Sequence, residues 1–284
     1  MCMLLELWQF EFMRHAIYAA ILASIACGIV GTFVVVKRLV FLSGGIAHTA
    51  FGGIGLGYYL GWNPVLTMIP FSMAAAILIS IIRRFTKLSE DSAIGMLWAF
   101  GMALGILFIG LTPGYTPDLF TYLFGNILTV PVEDLLMMIG LDVLLLLLVL
   151  FAYQPFKLIT FDEEYAKTRG VPVFLFNMVF FVMVALTIVM LVRIVGIILV
   201  ISLLTIPASI GKLFSSRLSR IMILSVIWGI VLTGSGLIVS YLLDLPSGAV
   251  IILLSLFVYA ILQILKKIIS QMSQQKKVLT ITEG

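Results

Sequence analysis

The residue of this sequence best suited to chemistry inside a membrane is a histidine near the middle of a long apolar segment. Residues 41–61 are long and apolar enough to cross a bilayer, and His48 is the only histidine in such a segment. An imidazole can bind a metal ion or take up a proton, and a polar side chain in a membrane helix usually faces the bundle interior or a path rather than lipid. The segment therefore indicates a transport path, and the histidine points to a metal ion, although a hydrogen bond between helices would also explain His48.

Small residues recur at every fourth position on both sides of this histidine. Rows of this kind let two membrane helices approach each other closely. One row is Gly45, Thr49, Gly53, Gly57 and Gly61, and the adjacent row is Gly44, His48 and Gly52. We therefore predict packing roles for four of these glycines, namely Gly44, Gly45, Gly53 and Gly57.

Two aspartates could either add a carboxylate to the path or serve the structure. Asp142 lies inside another apolar run, where it is either solvated near the interface or available to a metal ion together with His48. Asp118 lies in a Thr-Pro-Asp-Leu stretch, where an aspartate can cap a short helix. One imidazole is a poor zinc site, because closed zinc sites have about four ligands. A homodimer would bring two copies of His48 towards the shared axis and give a weak site suited to passage.

The composition requires a lipid environment for most of the chain. Of 284 residues, 62% are hydrophobic and 11% are charged, and the mean hydropathy is +1.24. A soluble domain has about 45–50% apolar and about 25% charged residues. Because the apolar segments are continuous rather than alternating, they predict helices and not a membrane β-barrel. We therefore predict an all-α polytopic membrane helix bundle that forms a single transmembrane domain over residues 1–284, in contact with lipid and without a nucleic-acid partner.

About nine apolar runs approach the roughly 20 residues that a membrane-spanning helix needs. The stretch 114–130 is too short and too broken to span, so we predict a re-entrant external segment whose backbone is covered by protein. The predicted runs are 16–36, 41–61, 64–82, 92–112, 134–154, 173–192, 194–210, 220–242 and 246–264.

Lysine and arginine residues predict the orientation, because they are enriched in cytoplasmic loops. If the N-terminus lies outside and the chain crosses nine times, only Arg14 and Arg193 of the 17 Lys and Arg residues lie outside. One crossing more or fewer would place several basic clusters on the wrong side. The pattern therefore predicts an odd number of crossings and a cytoplasmic C-terminus.

The largest internal loop predicts a short helix over about 161–170. The acidic residues that open it suit a helix N-terminus, and Gly170 suits its end. Such a helix could enter a groove of a partner or could be an ordinary connector. The chain lacks a phosphate-binding loop, since Gly211-Lys212 is followed by Leu213, so ATP-driven transport would need a separate ATPase. The residues assigned to this helix are Asp162, Glu163, Glu164, Ala166 and Gly170.

Short motifs spread over nearly the whole chain resemble the permeases of ABC-type importers for zinc, manganese and iron(II), the metal branch of the ABC-3 permeases. Each motif is short, but their order and spacing together are specific. The motifs are Val36-Lys37-Arg38-Leu39, Ala47-His48, Asp91-Ser92-Ala93-Ile94-Gly95, Thr112-Pro113-Gly114-Tyr115, Tyr122-Leu123-Phe124-Gly125-Asn126, Phe161-Asp162-Glu163-Glu164-Tyr165-Ala166 and Ile206-Pro207-Ala208.

The resemblance implies a transport subunit in a prokaryotic plasma membrane. Two copies would form the pore, cytoplasmic ATPase subunits would bind the 161–170 helix, and an extracellular or periplasmic metal-binding protein would deliver the metal. The metal would be cargo rather than a permanently bound cofactor, with zinc ranked first, manganese second and iron(II) third. The family pattern commonly has an aspartate four residues before the histidine of the second helix, and this chain has Gly44 there.

Two other functions remain open from the sequence. One is a permease for a metal chelate such as a siderophore or cobalamin, which would need a wide apolar cavity. The other is an intramembrane enzyme, because Gly234-Ser235-Gly236 could present a serine nucleophile if His48 acted as its base. Glycines that flank a membrane serine more often indicate packing, so transport is the leading hypothesis.

Overall fold

The structure, a computed structural model, describes residues 10–113, 125 and 127–282. These residues form helices, one short 3-10 turn at Ile127–Thr129, and no strands. Eight of the helices described here are long and apolar enough to cross a membrane, which confirms the predicted all-α polytopic bundle. In chain order the helices are α1 (Glu11–Val36), α2 (Val40–Leu60), α3 (Pro64–Phe85), α4 (Glu90–Leu111), α5 (Val132–Phe161), α6 (Glu163–Thr168), α7 (Val173–Phe214), α8 (Leu218–Leu243) and α9 (Ser247–Thr282).

Helix ends follow from local sequence. The side chain of Asn63 accepts a hydrogen bond from the backbone N–H of Val65, and Pro64 takes the first position of α3. Ser89 caps α4 in the same way. Helix α2 ends at Gly61, whose φ of 68° lies in the left-handed region that glycine adopts without strain. These signals account for the short connections on either side of α3.

Helix α7 contains two of the predicted runs, and the chain turns back between them. Its 42 residues are interrupted at Gly196, where φ is 79° and ψ is 160°. The ring of Phe180 lies 6.2 Å from that of Phe33 in α1, and the backbone of Leu204 packs against Gly31, two residues before Phe33. A straight helix would separate Phe180 from Leu204 by about 36 Å. Segments 173–195 and 197–214 therefore run in opposite directions, which gives the nine crossings of the sequence prediction.

Helix α5 is longer than predicted. The expected run 134–154 continues to Phe161, and the helix bends at Ala152, which has φ −109° and ψ 20°. Pro155 explains the bend, because its ring removes a backbone donor and crowds the carbonyl of the preceding turn. The last turns of α5 thus point in a new direction and carry α6.

Helices α1, α2 and α7 form the centre of the bundle, since most of their residues are buried, whereas few residues of α4 and α9 are buried. Hydroxyl pairs join α1 to α8: Ser24 Oγ lies 3.3 Å from Thr233 Oγ1, and Thr32 Oγ1 lies 3.2 Å from Ser225 Oγ. Small hydroxyl residues let these two helices pack closely and satisfy each other's hydrogen bonds away from water.

Basic residues collect at one end of the bundle. We call the end that carries Lys37, Arg83, α6 and the start of α7 the basic side. At the opposite end, Arg193 donates a hydrogen bond to Asp134 at 3.0 Å, and His15 Nδ1 lies 3.1 Å from the carbonyl oxygen of Val130. Gly125 packs against the backbone at the α7 break, so the described part of the predicted re-entrant segment lies over the turn at Gly196.

Candidate functional site

His48 is the one residue of the central part of α2 that reaches a surface. Every other residue from Leu42 to Gly55 is buried, whereas His48 is half-buried. It lies eight residues beyond Val40, or about 12 Å along the helix from the basic side, which is close to half-depth in a bilayer core of about 30 Å. Its Nδ1 atom is buried and has no hydrogen-bond partner. The imidazole therefore stands in the membrane interior with a free ring nitrogen.

Trp98 of α4 covers the face of this imidazole. The two ring centroids lie 4.2 Å apart with an interplanar angle of 8°, which is a face-to-face stack. The indole extends over Gly44, because a Cβ at that position would lie only 3.2 Å from Trp98 Cζ3. An aromatic ring thus occupies the space beside Gly44 where the family pattern commonly has a carboxylate.

Asp142 lies at a different helix contact. It is 4% exposed, and neither carboxylate oxygen has a hydrogen-bond partner. Helix α5, which carries Asp142, packs on α1 and α7, whereas α2, which carries His48, packs mainly on α3, α4 and α7. The structure therefore does not bring Asp142 and His48 together. Among the residues that the structure describes, no three His, Cys, Asp or Glu side chains form a cluster that could hold a metal ion.

The glycine row beside His48 lies at helix contacts. A Cβ on Gly53 would lie 2.7 Å from the Cα of Met68, and one on Gly57 would lie 2.7 Å from the Cα of Pro64, both in α3. Gly45 packs on the side chain of Ile94 in α4. Thr49 in this row donates a hydrogen bond to the carbonyl oxygen of Leu97 at 3.0 Å. The row thus fixes α2 between α3 and α4 and orients His48.

The predicted short helix is present as α6, on the basic side. Asp162 caps it by accepting a hydrogen bond from the backbone N–H of Tyr165 at 2.9 Å. Glu164 is exposed and pairs with Lys167 at 2.6 Å. Gly170, with φ 75°, ends the turn. Ala166 is fully buried against this chain, so the face of α6 that a partner can contact is the one with Glu164 and Tyr165.

An ion cluster connects α6 to the membrane helices. Lys37 is 6% exposed and donates hydrogen bonds from Nζ to Ile159 O at 2.8 Å, Glu163 Oε1 at 3.1 Å and Asn177 Oδ1 at 3.0 Å. Arg83 Nη2 donates to the same Glu163 oxygen at 2.8 Å, and Arg83 also pairs with Glu90. The cluster joins the ends of α1, α3 and α5 to α6 and to the starts of α4 and α7.

The charges in this cluster depend on one another. Burial alone would raise the pKa of Glu163, but hydrogen bonds from Arg83 and the charge of Lys37 lower that pKa below its ordinary value. Burial also lowers the pKa of Lys37, and Glu163 opposes that effect. The carboxylate of Glu163 is therefore ionised at neutral pH, and it binds two cations of different helices.

Sequence reasoning placed some of these residues and missed others. Arg83 entered only as a loop charge, Lys37 entered as a loop charge and as part of a short motif, and Trp98 was not singled out. Two features of the sequence point to these residues. Glu163 and the basic clusters with Lys37 and Arg83 are predicted to lie in loops on the same side of the membrane. Trp98 lies in an apolar run at about the depth of His48. Asp118 and most of the predicted re-entrant segment lie outside the described residues.

Comparison with known proteins adds to this geometry. The sequence profile described as the ABC 3 transport family matches residues 9–266. The chain is 39% identical to a probable metal transport system membrane protein of Chlamydia pneumoniae, over 83% of each chain. It is 34% identical to the manganese import system permease protein ScaB of Streptococcus parasanguinis, over 88% of this chain and 89% of that protein. Among solved structures, PsaBC from Streptococcus pneumoniae in complex with Fab matches with a TM-score of 0.80 and 31% identity, over 90% of this chain and 92% of that one.

Proposed function

Because the chain belongs to the ABC 3 transport family, as a multi-pass permease of a prokaryotic plasma membrane, we propose that it forms the pore of an ATP-driven importer for a free divalent metal ion. The observation that carries this proposal is His48: it is a lone imidazole at half-depth in the membrane, half-buried, with an unpaired ring nitrogen. A side chain of this kind facing lipid would be unfavourable. A path for a cation gives it a partner.

The proposed assembly contains two copies of this chain, with the basic side in the cytoplasm. The half-exposed strip of α2 and α4 that carries His48 and Trp98 then faces the second copy. Separate ATPase subunits bind the exposed face of α6, around Glu164 and Tyr165. An extracellular metal-binding protein delivers the ion at the opposite end. ATP binding would move α6, and the ion cluster around Glu163 would transmit that movement to α1, α3 and α7 as rigid bodies.

We propose zinc as the first cargo, manganese as the second and iron(II) as the third. Manganese prefers oxygen ligands, whereas imidazole suits zinc. The path described here offers an imidazole at His48 and no carboxylate at position 44, which favours zinc. The names of several relatives contain manganese, which makes manganese the main competitor in the experiment below.

The experiment is metal uptake into proteoliposomes that contain the chain with its ATPase and binding protein. We expect ATP-dependent uptake of radioactive zinc, competition by unlabelled zinc stronger than by manganese, and no competition by metal chelates. His48→Ala should lower uptake by about 10- to 100-fold, since loss of even an outer-shell group costs that much at metal sites.

The matched control is His15→Ala, the other histidine, which contacts a backbone carbonyl at the far end of α1. We expect this variant to retain most of the uptake. Equal uptake by the wild-type chain and His48→Ala would contradict a path along His48. Transport by this chain without an ATPase would contradict the ABC mechanism itself.

A further inference from the structure

Three aromatic rings form a column along one face of α2. Phe41 lies at the basic-side end of α2, and its ring is 5.6 Å from that of Trp98. Trp98 in turn stacks on His48 at 4.2 Å. Because Phe41 precedes His48 by seven residues, about two helical turns, the indole lies between the imidazole and the basic side. Any ion that leaves His48 along this face towards the basic side meets Trp98.

The indole of Trp98 packs against α2 at Gly44. Positions 41, 44 and 48 share one face of the helix, because they are three and four residues apart. The position of a Gly44 Cβ is 3.2 Å from Trp98 Cζ3, so a larger side chain there would push the ring away. The absence of a side chain at Gly44 thus allows the indole to cover His48.

The indole also has room to move. Trp98 is only half-buried, and Gly95, one turn nearer the basic side on the same face of α4, has nothing within 4 Å of the position a Cβ would take. A tryptophan in a helix has two favourable χ1 rotamers, and its ring leans towards the helix N-terminus. Helix α4 begins on the basic side, so the open space at Gly95 lies in the direction of that lean.

We propose that Trp98 is a gate residue, whose indole closes the way from His48 to the basic side and swings into the space at Gly95 to let a divalent cation pass. This inference rests on the proposed function. In the closed position the ring covers one face of the imidazole, while its buried Nδ1 has no partner. When the gate is open, the imidazole exchanges the indole for the passing ion.

The test is passive leak in the assembled transporter without ATP. Proteoliposomes that contain the chain with its ATPase and binding protein are loaded with a zinc-sensitive dye, and zinc is added outside. A stacked aromatic pair favours its contact by about two- to tenfold. We therefore expect Trp98→Ala to raise the ATP-independent entry of zinc by about that factor or more, and Trp98→Phe to raise it less.

The matched control is Trp228→Ala. Trp228 also stacks on an aromatic ring, that of Phe214 at 6.5 Å, but between α7 and α8. It should not leak. One outcome is that the wild-type and Trp228→Ala transporters take up zinc with ATP, and that Trp98→Ala shows no more ATP-independent zinc entry than they do. The gate is then refuted, while the proposed function stands. If the wild-type chain takes up no divalent metal with ATP, the proposed function is refuted, and the gate with it.

A second variant keeps the proposal testable if Trp98→Ala does not assemble. Gly95→Leu fills the space into which the indole would move, so it should lower ATP-driven zinc uptake several-fold without leak. Gly110→Leu adds the same side chain at another open position of α4 and should leave uptake unchanged. A gate at Trp98 thus predicts more zinc leak in Trp98→Ala and less ATP-driven zinc uptake in Gly95→Leu. Equal zinc uptake by Gly95→Leu and Gly110→Leu would overturn the proposed gate.

Discussion

Two glycines of this bundle, Gly53 and Gly140, differ in the space that surrounds the position of a Cβ atom. A Cβ on Gly53 would lie 2.7 Å from the Cα of Met68 and 2.9 Å from the carbonyl oxygen of Thr67, so backbone atoms would have to shift. Gly140 in α5 is exposed and has nothing within 4 Å of its Cβ position. Both glycines lie inside a helix, where alanine has a higher helix propensity than glycine. The same substitution should therefore have opposite effects at the two positions.

We predict that Gly53→Ala lowers the free energy of unfolding by about 1–3 kcal/mol, the usual cost of overpacking. Gly140→Ala should leave it unchanged or raise it by up to about 1 kcal/mol. The measurement is thermal or denaturant unfolding of the purified chain in detergent. Equal stability of the two variants would show that α2 and α3 are not held by the contact described here.

The sequence predicted part of the site at this scale. The depth of His48 and the small row beside it follow from helical periodicity, because spacing alone determines which residues share a face. Trp98 could not be placed in the same way. Its stack on His48 depends on how α4 is rotated about its own axis, and both Gly44 and Gly45 would allow a neighbour to approach. Tertiary contacts fix that rotation, among them the packing of Gly45 on Ile94 and of Gly101 on Thr49.

Among the helices, α6 is held to the bundle by the ion cluster around Glu163 as well as by the buried Ala166. Glu163 has a lowered pKa, so the folded state favours its ionised form. The resulting stability is fully present above the ordinary pKa of 4.5 and is lost as the pH falls through the lowered value. At neutral pH the cluster is complete. The contribution of the cluster to stability then depends on Lys37, whose side chain is nearly buried and donates hydrogen bonds to three acceptors.

We predict that Lys37→Met lowers the free energy of unfolding by about 1.5–3 kcal/mol, the range for hydrogen bonds to a charged group. It should also reduce the amount of metal moved per ATP hydrolysed, because α6 loses a connection to α1. The two measurements are unfolding in detergent and coupled transport in proteoliposomes. Lys157→Met, an exposed lysine near the end of α5, should change neither. A fully coupled Lys37→Met transporter would contradict the proposed role of the cluster.

Sequence patterns placed the helices better than their bends and connections. Hydropathy located each run, because burial in lipid needs a long apolar stretch. It could not show that α5 continues past 154, since residues 155–161 are less apolar and contain Pro155. The cluster around Glu163 was equally hidden, because it joins residues far apart in the chain. Its members meet only after α1, α3 and α7 have packed.

The number of crossings determines the arrangement of the whole molecule. Eight crossings would place α8 and α9 in the reverse direction, with Lys266 and Lys267 on the side of Arg193. The turn at Gly196 gives nine, and it requires glycine, because a φ of 79° with a ψ of 160° is essentially closed to other residues. The turn therefore accounts for the distribution of basic residues that predicted the orientation.

We predict that Thr168→Cys and Ser216→Cys, each in a variant without Cys2 and Cys27, react with a membrane-impermeant thiol reagent from the cytoplasmic side only. These positions flank α7 and are exposed. Trp62→Cys, at the exposed end of α2, should react from outside only. Labelling in spheroplasts and in inside-out vesicles distinguishes the two sides. Reaction of Thr168→Cys and Ser216→Cys from opposite sides would mean that α7 crosses the membrane once, and the reversal at Gly196 would then be wrong.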